Sequence, residues 1–313
     1  MFRKRRFNLK KVIAIAVCLT GFSVSNVLAQ DDTTDQGVII NDVKWATRNL
    51  GEGGKFVEKP EHYGALYQWG RKADGHESRT NNSSKYPTND HSSEAGVVSG
   101  TALDANGQVR VDHPAYGRFI KQNAQPFDWR SPQDDALWNA GTETDPIKTA
   151  NDPCPCGWRL PTQTELLKLT SLPVANRVWT TNYNGSGIRG YKVTDPVSGA
   201  SIFLPEAGTR YSSWGTIGSQ GSSYLSSSPD GTSAYRLYFH SSFFGMGSHN
   251  RAEGLSVRCV AEKSESSGIT DVPATPTKIT GYYDILGRKL PTEPTEGIYI
   301  IQYDNGTAKK AIR

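Results

Sequence analysis

Methionine is nearly missing from this chain of 313 residues: after Met1 only Met246 carries a thioether. Without that flexible gap-filler, seven Trp and 14 Tyr point to a rigid, loop-rich domain rather than a plastic helical one. Catalytic signatures are missing as well. No Gly-x-Ser-x-Gly elbow, no His-Glu-x-x-His and no phosphate-cradling Lys motif occurs. Gly185-Ser186-Gly187-Ile188-Arg189-Gly190 has dinucleotide-loop spacing, but the strand-like Tyr191-Lys192-Val193 follows where a helix should hold pyrophosphate, so a hairpin loop is expected. His62, His76, His91, His113, His240 and His249 lie in Gly-, Ser- and Asn-rich sequence without ligand spacing and read as solvated surface residues. Cys154-Pro155-Cys156 lacks the His or second Cys pair that zinc needs. The chain is expected to be no enzyme and to hold neither cofactor nor metal.

A positive balance disappears once the first 29 residues are set apart. Formal charge is +4, but Arg3, Lys4, Arg5, Arg6, Lys10 and Lys11 supply six positive charges with no acid among them, leaving −2 for residues 30–313. No basic footprint remains to neutralise phosphates, and no nucleic-acid partner is expected. The same six residues precede an apolar run at 12–19 that reaches Phe22. Roughly 20 mostly apolar residues span a bilayer, whereas Thr20, Gly21, Ser23, Ser25 and Asn26 interrupt this stretch. Val27-Leu28-Ala29 closes it, so 1–29 reads as an export signal cut between Ala29 and Gln30, with no integral membrane segment left. Cys18 leaves with the signal. Of Cys154, Cys156 and Cys259, two are expected to pair in an oxidising compartment, and the residues alone leave open which two.

Residues 31–36 are polar and expected to fray. Residues 37–45 read as two short strands around an Asn41-Asp42 turn. Residues 70–117, polar as at Asn81-Asn82-Ser83-Ser84, predict a long loop region of the functional or mobile kind. A helix is expected over 162–172: Thr162 and Glu165 form a capping box, Leu166, Leu167 and Leu169 an apolar face, and Pro161 and Pro173 the limits. A second, shorter helix is expected over 133–138. Aromatic and β-branched runs predict strands at 191–193, 201–204, 234–239 and 255–260. The pattern is a helix-poor α+β domain. A Ser-, Pro- and Thr-rich linker, 263–278, leads to a compact β tail, 279–313, with turns at Gly287-Arg288 and Asp304-Asn305-Gly306.

The run Asn151-Asp152-Pro153-Cys154-Pro155-Cys156-Gly157-Trp158-Arg159-Leu160-Pro161-Thr162 resembles the hallmark of the Fibrobacter succinogenes major paralogous domain family, Cys-Pro-x-Gly-Trp-Arg-Leu-Pro-Thr before a helix. Four more segments resemble that family in order: residues 43–50 around Trp45, Tyr63-Gly64-Ala65-Leu66-Tyr67-Gln68-Trp69-Gly70, residues 203–210, and Leu255-Ser256-Val257-Arg258-Cys259-Val260. Together they span 37–262. The resemblance implies a C-type-lectin-like α+β domain with few helices, irregular antiparallel strands and long loops. It also implies a bridge between Cys154 and Cys259, with Cys156, at a variable position of the motif, as the alternative partner. Trp158 is expected to fill the core, while Arg159 stacks on an indole or satisfies backbone carbonyls. The tail, with Tyr283-Asp284-Ile285-Leu286-Gly287-Arg288, Gly297-Ile298-Tyr299 and Lys309-Lys310, is similar to the C-terminal sorting domain read by the type IX secretion machinery of Bacteroidota, its upstream strands shortened. That machinery is the implied partner. The implied destination is the cell surface or the medium, or the periplasm if the tail is not read.

True C-type lectins hold calcium through Glu-Pro-Asn or Gln-Pro-Asp and a Trp-Asn-Asp triplet. Here Gln125-Pro126-Phe127-Asp128 has Phe at the acid's position and Trp138-Asn139-Ala140 lacks the last acid, so that site is expected to be missing. A pyranose can still lay its C–H face on an exposed ring, and Trp129, Trp138, Tyr211 and Trp214 are the candidate ligand-binding residues. The function expected is an exported binding or adhesion module that contacts a surface glycan or protein through residues 74–112 and 211–244. The alternatives are a copper oxidase like the formylglycine-generating enzymes, which needs two reactive cysteines, and a structural component of a surface layer or fimbria.

Overall fold

Two strands open the described part of the chain, β1 (Val38–Ile40) and β2 (Val43–Trp45), paired antiparallel across Asn41 and Asp42. Both turn residues have positive φ, 47° and 61°, as a type I′ hairpin requires and as Asn and Asp tolerate. The computed structural model describes residues 35–80, 97–219, 221–262, 278–284, 288–304 and 308–312. The export signal with Ala29 and Gln30, the Asn81-Asn82-Ser83-Ser84 stretch, the linker to residue 277, and turn residues Gly287, Asn305 and Gly306 lie outside the described residues. Asp35, expected to fray, is instead buried: its carboxylate accepts the Gly37 and Thr47 N–H groups and pairs with Arg48 at 3.3 Å.

Short strands β3 (Tyr67–Gln68), β4 (Val98–Ser99), β5 (Arg130–Ser131) and β6 (Trp158–Arg159) precede α1 (Gln163–Thr170), the α-helix among the described residues. Its capping box is complete. Glu165 N donates to Thr162 Oγ1, Thr162 N donates to the Glu165 carboxylate, and Leu166 and Leu169 turn inward. No second helix forms over 133–138. Asp134 Oδ1 accepts the Ala136 N–H at 3.0 Å, closing a turn instead, and the Trp138 indole is drawn into the core.

A sheet of β7 (Arg177–Thr180), β8 (Gly190–Thr194) and β9 (Ser201–Pro205) follows, its first hairpin looping through Gly185-Ser186-Gly187. Then come the hairpin β10 (Thr209–Arg210) and β11 (Ile217–Gly218), and the meander β12 (Ser222–Asp230), β13 (Ser233–His240) and β14 (Phe243–His249). The run 255–260 splits into β15 (Gly254–Leu255) and β16 (Val260–Ala261). Between them the Val257 and Cys259 carbonyls accept from Leu50 and Ala46, so this stretch zips onto residues 46–50 rather than running as one strand. Sheets run in the orders β1-β2-β16-β6 and β11-β10-β15-β3.

Two core clusters hold the unit together. One gathers Trp69, Trp129, Trp138, Trp158 and the Cys154 and Cys259 side chains; the other packs Leu166 and Leu169 of α1 against Tyr191, Val193, Leu237 and Phe239. Arg159 satisfies the Leu160 carbonyl and forks onto Glu165 at 2.7 and 2.6 Å. The result is mostly short antiparallel β-structure with one helix, an α+β fold at its β-rich limit. No helix among the described residues is long and apolar enough to cross a membrane.

The chain divides after Glu262. The second unit holds a sheet of order β18-β17-β19-β20, made by β17 (Ile279–Tyr283), β18 (Lys289–Leu290), β19 (Ile298–Tyr303) and β20 (Ala308–Ile312). Asp284 fixes its first turn by accepting Arg288 N at 2.9 Å and Arg288 Nε at 2.6 Å.

Candidate functional site

Burial separates the four aromatic candidates. Trp129 and Trp138 are core residues, not stacking platforms, which corrects the expectation drawn from their loop-like sequence. Burial strands none of their polar tips: Trp129 Nε1 donates to the Trp69 carbonyl at 2.7 Å, Trp138 Nε1 to the Arg71 carbonyl at 3.1 Å, and Trp69 Nε1 to the Ser226 carbonyl at 2.9 Å. Buried guanidinium groups cover the indole faces, Arg251 4.4 Å above Trp69 and Arg71 5.4 Å from Trp129.

Tyr211 and Trp214 face outward, 42% and 60% exposed, on the loop joining β10 to β11. Of the seven Trp, only Trp214 is more than half exposed. The loop is tight, with Tyr211 N bonded to the Thr216 carbonyl and Gly215 N to the Tyr211 carbonyl. Behind it Arg210 is buried over the Phe119 ring at 4.3 Å and bonded to the Gly215 and Ser78 carbonyls. Burial pushes its pKa down to about 10, which leaves it charged at neutral pH. The Tyr211 ring lies on Gly218, where a Cβ would stand 2.5 Å from Tyr211 Oη and displace the ring.

A second group of rings stands on the meander. Tyr238, His240 and Phe243 meet with centroids 5.8 to 5.9 Å apart, Phe243 44% exposed and the other two half-buried. Arg236 reaches over Tyr238 at 4.9 Å while donating to Ser223 Oγ. Tyr238 in turn lies against Gly221, three residues after Gly218. Since successive Cα atoms are about 3.8 Å apart, the two glycines are separated by at most about 11 Å along the chain. The sequence singles out Tyr211 and Trp214, whereas Tyr238, His240 and Phe243 are covered only as part of the 211–244 segment. Their signal was the i, i+2 spacing of Arg236, Tyr238 and His240 along a strand opposite Gly245 and Gly247.

The 70–78 stretch folds inward, with Asp74, His76 and Glu77 close enough to share a cation. Their lone pairs are engaged elsewhere. Gln68 N donates to His76 Nε2 at 3.0 Å, which puts the ring proton on Nδ1, 2.6 Å from Asp74 Oδ1. Asp74 Oδ2 holds Arg71 at 2.5 Å, and the Glu77 oxygens accept Gly53 N and Gly75 N. The cluster is a clamp on this loop. It also corrects the reading of His76 as a solvated residue, as does His249, buried against Glu253 Oε2 at 3.0 Å. His62 is exposed, His113 and His240 are half-buried, and His91 lies outside the described residues.

Cys154 and Cys259 lie at bonding distance, S–S 2.09 Å with Cα atoms 6.1 Å apart, and both are buried; Cys156 is not part of that bridge. Asp152 brackets the turn that presents Cys154, accepting the Cys154 and Leu160 N–H groups at 2.8 Å each. Asp128, in the calcium-like motif, is occupied by Gln133 Nε2 and lies 3.9 Å from Arg251. Comparisons with models of known families, with curated proteins and with solved structures found no match to this chain.

Proposed function

We propose that this chain is a non-catalytic binding module of the cell surface, exported by its first 29 residues, with a C-type-lectin-like domain of the Fibrobacter succinogenes major paralogous kind and a tail addressed to the type IX secretion machinery. The observation that carries the reading is two groups of solvent-facing rings, Tyr211 with Trp214 on the β10–β11 loop and Tyr238, His240 and Phe243 on the meander, each lying on glycine. Folding buries five of the seven Trp, so rings kept outside on a stiff scaffold mark a contact surface. Rings with an apolar face and a polar edge suit the C–H face and hydroxyls of a pyranose, and a surface glycan is the ligand class proposed. The burial of Cys154 and Cys259 in one core cluster favours a structural tie over the accessible thiols that a copper oxidase requires.

The test is a glycan array and a cell-surface pull-down with the whole chain, beside Trp214→Ala and Phe243→Ala. Each variant is expected to bind at least about tenfold more weakly, roughly 1.4 kcal/mol, with unchanged unfolding. Indifference of the unmodified protein to glycans, matrix proteins and cell surfaces would defeat the proposal. Terminal sequencing of the secreted protein should start at Gln30.

A further inference from the structure

We infer that a second ligand site lies in the cleft bounded by the 100–107 loop, residues 130–137 and residues 149–151, and that it takes a neutral, hydroxyl-rich molecule of the saccharide class. The cleft holds about 460 Å³. Small-molecule sites run from about 300 to 1,000 Å³, so one to a few sugar rings are the natural scale. Arg130, a residue only 6% exposed, lines it. The 104–107 turn is laid directly against that side chain: a Cβ at Gly107 would stand 2.9 Å from Arg130 Nη1.

Arg130 is under-used by the protein. A guanidinium carries five N–H donors, yet its side chain makes one hydrogen bond, Nη1 to Asp134 Oδ2 at 3.0 Å; Nε is sealed from solvent, whereas Nη2 is not sealed and makes no hydrogen bond. Nη2 of Arg130 is therefore the donor left to meet an acceptor supplied from the cleft. The walls add polar groups with capacity to spare. Asn151 spends Nδ2 on the Asn106 carbonyl and keeps its amide oxygen, and the Asn106 side chain is exposed at the rim. Ala136 and Leu137 supply a small apolar strip beside them.

Charge selects the ligand class. The lining holds one cation, Arg130, and two carboxylates, Asp104 and Asp134, and Lys72 stands 3.7 Å from Asp104, so charges balance at the cleft and give neither an anion nor a cation a net attraction. Both carboxylates are already engaged: Asp134 accepts Ala136 N as well as Arg130, and Asp104 accepts Asn106 N and Gln108 N. A cation would have to displace those bonds. Hydroxyls need not, because each can donate to a remaining carboxylate or amide lone pair while accepting from the guanidinium. The Ala136–Leu137 strip then faces the ring's C–H groups.

Calorimetry on the whole chain with maltotriose, xylotriose, triacetylchitotriose and trigalacturonic acid tests the site. At least one neutral trisaccharide is expected to bind at roughly millimolar Kd or tighter, and the acidic one no more tightly. Ala136→Trp fills the cleft from an exposed position and removes no hydrogen bond; Asn106→Ala deletes only an exposed amide. Both should weaken binding about tenfold or more, while Trp214→Ala leaves it within about twofold. Absence of binding by every neutral probe, binding that survives both cleft variants, or preference for the acid would overturn the inference. The cleft and the ring groups share no residue, so either can fail alone.

Discussion

Asp152 holds two backbone donors with one carboxylate, and the cysteine-bearing turn depends on it. Burial pushes its pKa up to about 6, against Lys148 and the two N–H groups that pull it down, so at neutral pH it is ionised. Asp152→Asn presents an amide N–H to one of those donors and leaves it unsatisfied in the core. A loss of about 2 to 3 kcal/mol in urea unfolding at pH 7 is expected, and a loss well under 1 would refute the bracket. The tryptophans show what was legible at this scale. Trp158, in a motif before a proline-limited helix, was read as core and is core. Trp129 and Trp138 were read as loop aromatics because their neighbours are polar. What hides them is a set of carbonyls 60 and 67 residues away in the chain, on Trp69 and Arg71, and no local pattern reports those partners.

Elements were legible where their signals are local. Helix α1 follows from Thr162, Glu165 and the flanking prolines, and the β1–β2 hairpin from Asn41-Asp42. Strand β12 was not found, because its five serines look like a spacer. Seven of its nine residues are nevertheless buried, its register slipping between Leu225 and Pro229 so that Ser226 bonds the Tyr235 carbonyl, Ser227 N the Pro161 carbonyl, and Ser228 Oγ accepts Gln163 N. That bulge docks the start of α1, so the helix depends on a strand with no hydrophobic signature. Glu165 joins the two: it closes the capping box and holds the buried Arg159. Glu165→Ala removes a cap worth about 1 kcal/mol and orphans a buried cation, which costs about 3 to 5 kcal/mol. Unfolding should therefore shift by at least about 3 kcal/mol, and Glu165→Gln, which keeps an acceptor for Thr162 N, should lose less. Equal losses would place the effect in packing rather than in the ion pair.

For the molecule as a whole, Cys154 to Cys259 is a covalent tie across 105 residues. A loop of that length is worth about 4 to 5 kcal/mol in the chain-entropy model. The double variant Cys154→Ala with Cys259→Ala should lose about that much in denaturant unfolding, and a loss below about 1 kcal/mol would show that the core alone sets the topology.

Acid should weaken the molecule in a window set by its two buried imidazoles. Burial holds the His76 and His249 pKa values below the ordinary 6.5; Arg71 lowers His76 further, while Asp74, Glu77 and, at His249, Glu253 pull the other way. Protonating His76 would also set a second N–H against Gln68 N. Below pH 6.5 the unfolded chain takes up two protons that the folded chain refuses, so stability falls as pH falls, by up to about 2.7 kcal/mol per pH unit. Asp152 opposes this. Raised to about 6 from 3.8, it is protonated earlier in the folded state and returns up to about 1.4 kcal/mol per unit between those values. The net expectation is a flat plateau near neutrality, a decline from about pH 6.5, and a shallower slope once Asp152 takes up its proton near pH 6. Urea midpoints at half-unit steps from pH 7.5 to 4.5 would trace it. His249→Gln should lose half of the initial slope, and stability that holds constant or rises from pH 6.5 to 5.5 would show that these imidazoles are not buried neutral in the folded protein.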